Sequence, residues 1–153
     1  VDRRQRQMCI RDREEAIVDK SPFIDQIIIY NNQSPFTGAI VVPNRDALRR
    51  ELDARDIREG RAAAAADILG AEIDRYRAGG PYAGEFPERW LPAGLAIVDE
   101  PFTEQNGLIN STMKIVRNKV EEYFRDRIDY LYTPEGRELR NDKNLASLRK
   151  MVE

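Results

Sequence analysis

The sequence predicts an α+β domain, in which helices flank a small antiparallel sheet made of a hairpin and a third strand. Two runs of β-branched and aromatic residues are separated by six residues and cover 26–30 and 37–42. Such a pair is typical of an antiparallel hairpin. The second observation is the helical spacing of apolar residues in the C-terminal third. The chain has 153 residues, which is enough for one compact domain and short for two.

The first half of the chain alternates between helix and strand patterns. Residues 14–20 predict a short helix that Pro22 ends, because the residue before a proline is disfavoured in the α region. The first strand is β-branched and aromatic over 27–30, which indicates burial on both of its faces. Asn44 is a suitable N-cap for a helix over 45–52. We expect the helices to pack against one side of the sheet.

The second half contains two helical segments and the third strand. Residues 56–77 have a partial apolar helical face, and residues 94–98 are typical of a strand. The loop between them carries Tyr82, Phe86 and Trp90, which we expect to hold it against the core or against a neighbouring domain. The strongest helical signal is a core-facing seam with spacings of 4, 3, 1, 4 and 3, formed by Val116, Val120, Tyr123, Phe124, Ile128 and Leu131.

The composition excludes several kinds of site. The chain has no His and one Cys, so Ser-His-Asp and Cys-His catalysis, an internal disulfide and a zinc centre are excluded, and we predict no metal site. The chain has 25 Lys and Arg against 27 Asp and Glu, and its net charge of −2 is opposite to that expected for general nucleic-acid binding. No apolar run reaches about 18 residues, so the sequence predicts no membrane-spanning helix.

Residues 1–13 differ from the rest of the chain. They contain five Arg and two Asp without the apolar spacing of a helix or the alternation of a strand. Residues 8–13 are similar to the translated end of a sequencing-library adaptor, so we interpret residues 1–13 as a non-native leader and residues 14–153 as the domain. The alternative is a native basic arm without fixed structure. In both interpretations Cys9 has no base beside it and is not a nucleophile.

The segment 102–117 is the one place where the sequence suggests chemistry. Asn110, Ser111 or Thr112 can cap the long helix, which puts Lys114 in its first turn or just before it. Lys114 lies about 200° around the helix from the apolar seam, so we expect its amine to point outward. Free amides at a helix N-terminus attract anions, and a lysine beside them makes a better anion site. An exposed lysine without function is the alternative.

Several segments of the chain carry a family resemblance. They are residues 14–16, 21–24, 26–30, 37–44 and, most specifically, 101–109 followed by Ser-Thr-Met-Lys-Ile-Val-Arg at 111–117. From residue 14 to about residue 132 the sequence resembles the small C-terminal domain of the AMP-forming acyl-CoA synthetases, specifically the long-chain fatty acid type. The last motif is similar to the one that carries the adenylation lysine in that family. Asn110 and Ser111 depart from the Thr-Pro of many relatives.

The resemblance implies a lid-type C-terminal domain with a helical insertion at about residues 53–93. It implies that Lys114 is the catalytic lysine and contacts the nucleotide, with Thr112 as a secondary contact. We expect the large N-terminal ATP-binding domain to be absent from this chain, because the sequence has no glycine-rich phosphate loop and the interpreted leader stands where the hinge is expected before Glu14. We therefore expect the chain to be inactive alone and to have its own missing N-terminal domain as its partner.

Members of that family convert ATP, a fatty acid and CoA into acyl-CoA, AMP and pyrophosphate. The resemblance implies this reaction for the parent protein, with ATP, CoA and Mg²⁺ bound mainly by the absent domain. It also implies a cytoplasmic location and no nucleic-acid partner. Peripheral association of the parent with a membrane stays open, as does the length of the acyl chain.

The alternative to an enzyme is a non-catalytic binding module. Residues 110–153 have 10 basic and 8 acidic side chains and follow an acidic body. In this interpretation they dock onto a protein or RNA partner through Arg117, Lys119, Arg125 and Arg127. Acidic residues interleave with these four, which is typical of i,i+4 pairs on a solvated helix face. An α+β domain that binds no ligand is a third alternative.

Overall fold

The computed structural model describes the backbone of residues 3–153 and the side chains of residues 10–153. Along the chain the elements are α1 (Arg3–Asp19), β1 (Ile24–Tyr30), β2 (Gly38–Pro43), α2 (Arg45–Ala54), α3 (Arg61–Asp74), a 3₁₀ turn (Glu88–Trp90), β3 (Gly94–Ile97), α4 (Arg117–Tyr123), α5 (Arg125–Leu131), α6 (Pro134–Arg137) and α7 (Asp142–Val152). The predicted α+β class is confirmed. Within the described residues, no helix combines the length and apolar character that crossing a bilayer requires.

The sheet is mixed rather than antiparallel. β1 and β2 form the predicted antiparallel hairpin, with Ile28 opposite Ile40. β3 lies on the other side of β2 and runs parallel to it, with Gly38 opposite Gly94. The antiparallel prediction is therefore wrong for the third strand. The reason is that α2 and α3 carry the chain back along the sheet after β2, so that β3 starts at the same end as β2.

Both faces of the sheet are covered. One face packs against α1, α2, α3 and α7, and the other packs against α4, α5 and the segment that precedes them. The strand residues of the first core are Ile24, Ile27, Ile29, Ala39, Val41, Leu95 and Ile97. Those of the second core are Ile28, Tyr30, Ile40, Val42 and Ala96, with Val98 directly after β3. The two-sided burial of the first strand is thus confirmed. The expectation of helices on one side is wrong, because alternate strand residues are apolar in both directions.

Helix α1 is longer than the predicted helix over 14–20. It begins at Arg3, within the segment interpreted as a leader, although that segment lacks apolar helical spacing. The prediction for Cys9 concerns a side chain outside those that the structure describes. Asn44 caps α2 as predicted, because its side chain accepts a hydrogen bond from the Ala47 N–H at 2.9 Å.

Within 53–93, α3 and the following loop are tied to the first core. Helix α3 begins at Arg61 rather than near 56, because Asp56 and Gly60 adopt positive φ angles of 55° and 64°. The Tyr82 and Phe86 rings lie 5.2 and 5.7 Å from the Tyr76 ring, so the expectation that aromatic residues hold this loop against the core is confirmed.

The predicted long helix is divided into α4 and α5 at Phe124, where φ is −103° and ψ is 27°. Val120, Phe124, Ile128 and Leu131 are buried as expected. Tyr123 is 49% exposed, so the prediction that it packs in the core is wrong. Neighbouring residues are about 100° apart on a helix, and the face that buries Phe124 directs Tyr123 toward solvent.

Asn144 attaches helix α7 to the free edge of β3. Its side chain is fully buried, and its carbonyl oxygen accepts from the Ile97 N–H at 2.8 Å and from the Arg127 guanidinium at 2.7 Å. Its amide donates to the backbone oxygens of Leu95 and Leu139, both at 2.9 Å. Asn144 therefore satisfies backbone groups of an edge strand that have no partner strand.

We expect Asn144→Ala to lower the free energy of unfolding by about 3 kcal/mol, because it leaves several buried polar groups without partners. Urea denaturation monitored by circular dichroism measures this change. The control is Asn32→Ala at an exposed turn residue, for which we expect a change within about 0.5 kcal/mol. Equal stability of the two variants would show that the Asn144 network contributes little.

Candidate functional site

Lys114 lies in a closed hairpin loop and not in a helix. The Asn110 N–H donates to the Lys114 carbonyl at 2.9 Å, and residues Ile109 and Ile115 form an antiparallel bridge. Helix α4 begins three residues later, at Arg117, and its N-cap residue, Val116, makes no side-chain capping bond. The prediction that Asn110, Ser111 or Thr112 caps this helix is therefore wrong.

Asn110 organises the loop instead. Its side-chain oxygen accepts three hydrogen bonds, from the Thr112 N–H at 3.0 Å, from the Thr112 hydroxyl at 2.7 Å and from the Lys114 N–H at 3.0 Å. Met113 completes the turn with a φ of +63°, and its side chain is 70% exposed. The polar residues that suggested a helix cap thus fix the backbone of Lys114. They do so because Asn favours turns that its own side chain can close.

The Lys114 amine is exposed to solvent, as the sequence predicts. Among the residues whose side chains are described, no carboxylate lies within ion-pair distance of it. Thr112 is also exposed, and its hydroxyl donates to Asn110 within the loop. The hairpin therefore presents a positive charge that a negatively charged group from outside the chain can approach. The structure places Lys114 and Thr112 in the same loop, two residues apart.

A cavity of about 460 Å³ lies beside this hairpin, between α1 and the free edge of β1. Lys114 and Arg117 line it together with Glu14 and Ile27. Its lining contains both signs of charge, since α1 and β1 also contribute Glu15, Asp19 and Asp25. Lys114 and the charged residues of α1 therefore line the same cavity.

Glu14 and Arg117, which both line this cavity, form an ion pair. Arg117 Nη2 is 2.6 Å from Glu14 Oε1, and Arg117 Nη1 donates to the Ile29 carbonyl at 3.0 Å. The Ile29 N–H donates to the second Glu14 oxygen at 2.6 Å. Sequence reasoning missed this pair. Both residues belong to the motifs that carry the family resemblance, but no local pattern connects two residues 103 positions apart.

Two groups next to the hairpin have displaced pKa values. Burial raises the pKa of Glu121 on α4, and the nearby Arg117 guanidinium partly opposes this shift. A 2.5 Å hydrogen bond to the Glu100 carboxylate raises the pKa of the Tyr123 hydroxyl. Asn106 donates to the same Glu100 oxygen at 3.1 Å, so α4 is joined to the loop that leads into the hairpin.

Two of the four basic residues invoked for a binding module turn inward. Arg117 contacts Glu14 and Ile29, and Arg127 contacts Asn144 and Ser147. Burial lowers the pKa of Arg127. The C-terminal segment therefore does not present these four side chains as one free basic face.

The residues described by the structure contain no group of three or more His, Cys, Asp or Glu side chains arranged to hold a metal ion.

Two curated relatives match most of the chain. Long chain acyl-CoA synthetase 8 of Arabidopsis thaliana is 26% identical over 121 residues, which cover 77% of this chain and 17% of that protein. Probable acyl-activating enzyme 16, chloroplastic, of the same plant is 32% identical over 127 residues, which cover 78% of this chain and 16% of that protein. No protein-family model matches the chain.

Two solved structures share the fold. The adenylation domain of a carboxylate reductase from Mycobacterium chelonae matches with a TM-score of 0.56 and 27% identity, covering 79% of this chain and 17% of that one. The A domain of the carboxylic acid reductase from Segniliparus rugosus, in complex with AMP and a co-purified carboxylic acid, matches with a TM-score of 0.54 and 26% identity, covering 78% and 17%. The chain belongs to the AMP-forming acyl-activating superfamily. It corresponds to a C-terminal domain of these enzymes.

Membership of the superfamily supports the general class of AMP-forming, acid-activating enzymes. It does not specify which carboxylic acid is activated or which group accepts the acyl chain. The relatives include acyl-CoA synthetases, an acyl-carrier-protein ligase and carboxylic acid reductases. The chain spans between 9% and 18% of the length of these curated relatives. The resemblance to the superfamily is therefore confirmed, and restriction to fatty acid–CoA ligases does not follow from it.

The loop between Ile109 and Ile115 is called the lysine hairpin below. We expect Asn110→Ala to loosen it, because this change removes the acceptor of the Thr112 and Lys114 amides. Amide hydrogen exchange of these two residues, measured by NMR, should become about threefold to tenfold faster, since one hydrogen bond contributes about 1 kcal/mol. Thr112→Val removes the hydroxyl and keeps both amide bonds, and it should leave the exchange of the Lys114 amide nearly unchanged. Unaltered exchange in Asn110→Ala would contradict this account of the loop.

Proposed function

We propose that this chain is the lysine-bearing domain of an AMP-forming acid–thiol ligase of the long-chain fatty acid–CoA type. In this proposal Lys114 contacts a nucleotide held by a separate N-terminal region of the same enzyme. The observation that carries the proposal is the exposed Lys114 amine, which has no carboxylate partner among the described side chains and sits on a hairpin closed by Asn110.

The reaction begins with attack of the acid carboxylate on the α-phosphorus of ATP. A bond forms between the carboxylate oxygen and the phosphorus, and the bond to pyrophosphate breaks. Negative charge grows on the phosphoryl and bridging oxygens during this step. An ammonium group positioned in advance beside these oxygens stabilises that charge. Lysine suits the role because its amine is a compact, strongly charged group at the end of a long side chain.

The second step needs a different arrangement of the domain. The CoA thiol loses its proton and attacks the acyl carbonyl, the bond between the acyl carbon and the AMP oxygen breaks, and AMP leaves with that electron pair as the thioester forms. Lys114 has no role in this bond change, so the domain can withdraw it and admit the thiol, as a mobile lid does. In this proposal Mg²⁺ and the nucleotide are bound mainly by the separate N-terminal region.

The proposal also specifies the substrates, a long-chain fatty acid and CoA. Relatives named for long-chain acyl-CoA synthesis and for long-chain fatty acid activation support a fatty acid as the substrate. Carboxylic acid reductases share the matched segment and are the competing possibility. An assay of the full-length enzyme with palmitate, ATP and either CoA or NADPH separates the two. Palmitoyl-CoA formation supports the ligase, and aldehyde formation supports the reductase.

In the full-length enzyme, we expect Lys114→Ala to reduce acyl-adenylate formation by about a hundredfold to a thousandfold, the usual loss for one charge-stabilising donor. Pyrophosphate release from ATP and palmitate measures this step. Thioester formation from supplied palmitoyl-adenylate and CoA should persist. The matched control is Lys119→Ala at another exposed lysine, which should leave both steps unchanged. Adenylate formation at the wild-type rate in Lys114→Ala would refute the role of Lys114.

We also expect the 153-residue chain alone to release no pyrophosphate from ATP and palmitate. The sequence has no phosphate-binding loop, and Lys114 by itself cannot position an acid against a nucleotide. Pyrophosphate release is measured with the purified chain and, in parallel, with the full-length enzyme. Turnover by the isolated chain would show that this segment contains a complete active site.

A further inference from the structure

We infer that Glu14 and Arg117 are positioning residues for Lys114. Their ion pair attaches the C-terminal side of the lysine hairpin to α1 and to the free edge of β1. This inference rests on the proposed function of Lys114. It adds two residues that do not touch the reacting atoms and act through the lysine.

The pair meets at one residue of the edge strand. The Arg117 guanidinium donates to the Ile29 carbonyl at 3.0 Å and to the Glu14 carboxylate at 2.6 Å. The other Glu14 oxygen accepts from the Ile29 N–H at 2.6 Å. Both backbone groups of Ile29 are thus bound by side chains from distant elements, and the three groups form a closed ring of hydrogen bonds. Glu14 is 8% exposed, so the carboxylate of this ring is largely shielded from water, while the Arg117 side chain is 27% exposed.

The segment between the ring and the amine is short and held at both ends. Arg117 is three residues after Lys114. Between them, Ile115 packs against the second core and pairs with Ile109, and the Val116 N–H donates to the Leu108 carbonyl at 2.9 Å. Asn110 holds the other side of Lys114. A shift of Arg117 relative to α1 therefore moves the backbone that carries the lysine.

The chemistry of the pair is specific to these two side chains. A guanidinium is planar and can donate to a carbonyl and a carboxylate at the same time, whereas the single ammonium of a lysine cannot reproduce that fork. Glu14 uses both of its oxygens as acceptors. The Ile29 N–H and the Arg117 guanidinium are both donors. A glutamine at position 14 would place its own NH₂ donor opposite one of them, and that hydrogen bond would be lost. Arg117→Lys and Glu14→Gln are therefore small changes that each break the ring.

The test compares the two steps of the reaction in the full-length enzyme. In Arg117→Lys and Glu14→Gln, acyl-adenylate formation from ATP and palmitate should fall about tenfold to a hundredfold, the loss expected for a misplaced catalytic group. Thioester formation from supplied palmitoyl-adenylate and CoA should change by less than about twofold, because Lys114 is not needed there. The double variant should lose no more than either single variant, since both remove the same ring.

Asn144→Ala is the matched control for a loss of stability. It breaks a buried polar network at the opposite edge of the same sheet without touching the lysine hairpin. We expect it to lower the melting temperature at least as much as Arg117→Lys does, while the ratio of the two reaction rates stays at the wild-type value. A selective loss of adenylate formation in Arg117→Lys and Glu14→Gln, absent from Asn144→Ala, supports the inference.

Two results would overturn the inference. One is a parallel loss of both steps that follows the melting temperature, as a purely structural pair would give. The other is unchanged adenylate formation in Arg117→Lys and Glu14→Gln. Lys114→Ala, measured in the same assay, separates these results from failure of the proposed function. If Lys114→Ala is inactive and the two positioning variants are active, the positioning role alone is wrong; if Lys114→Ala is active, the proposed function is wrong.

Discussion

A sheet of three strands has two edges, and in this chain side chains from distant elements bind the backbone groups at both of them. Glu14 and Arg117 bind the N–H and carbonyl of Ile29 on β1. Asn144 binds the Leu95 carbonyl and the Ile97 N–H on β3. Because both faces of the sheet are buried, unpaired edge groups would be costly. Satisfying them is the constraint on which the arrangement of the other elements depends.

This constraint determines what surrounds the lysine hairpin. The bonds at the edge of β1 join α1 to the start of α4, and the hairpin lies directly before α4. The bonds at the edge of β3 join α7 to α5 through Asn144 and Arg127. The interactions that complete the β1 edge therefore limit the positions that Lys114 can occupy. A rigid support of this kind suits the role proposed for the exposed Lys114 amine, since the lysine side chain itself is flexible.

Helix caps and turns could be predicted from the sequence, because they depend on neighbouring residues. Where such a prediction failed, the cause was also a nearby residue. Asn44 caps α2 because a side-chain acceptor before a helical segment binds its free amides. The corresponding prediction for Asn110 was wrong, because its side chain accepts a hydrogen bond from the Lys114 N–H and closes a turn instead of capping a helix. Both uses of Asn satisfy nearby backbone amides, and the composition of the segment does not distinguish them. The prediction that Lys114 is exposed was correct, although it assumed that Lys114 lies at the start of a helix. The loop that carries Lys114 also directs its side chain outward.

The sequence by itself determined the α+β class, the hairpin of β1 and β2, the family resemblance and the identity of the exposed lysine. These follow from periodicity, turn residues and short motifs, which act over a few residues. The tertiary structure alone decided the parallel pairing of β3, the division of the last long helix at Phe124 and the contacts of Glu14 and Asn144. The physical reason is that such pairings depend on the path of the chain between partners as much as 103 residues apart, and no local pattern encodes that path.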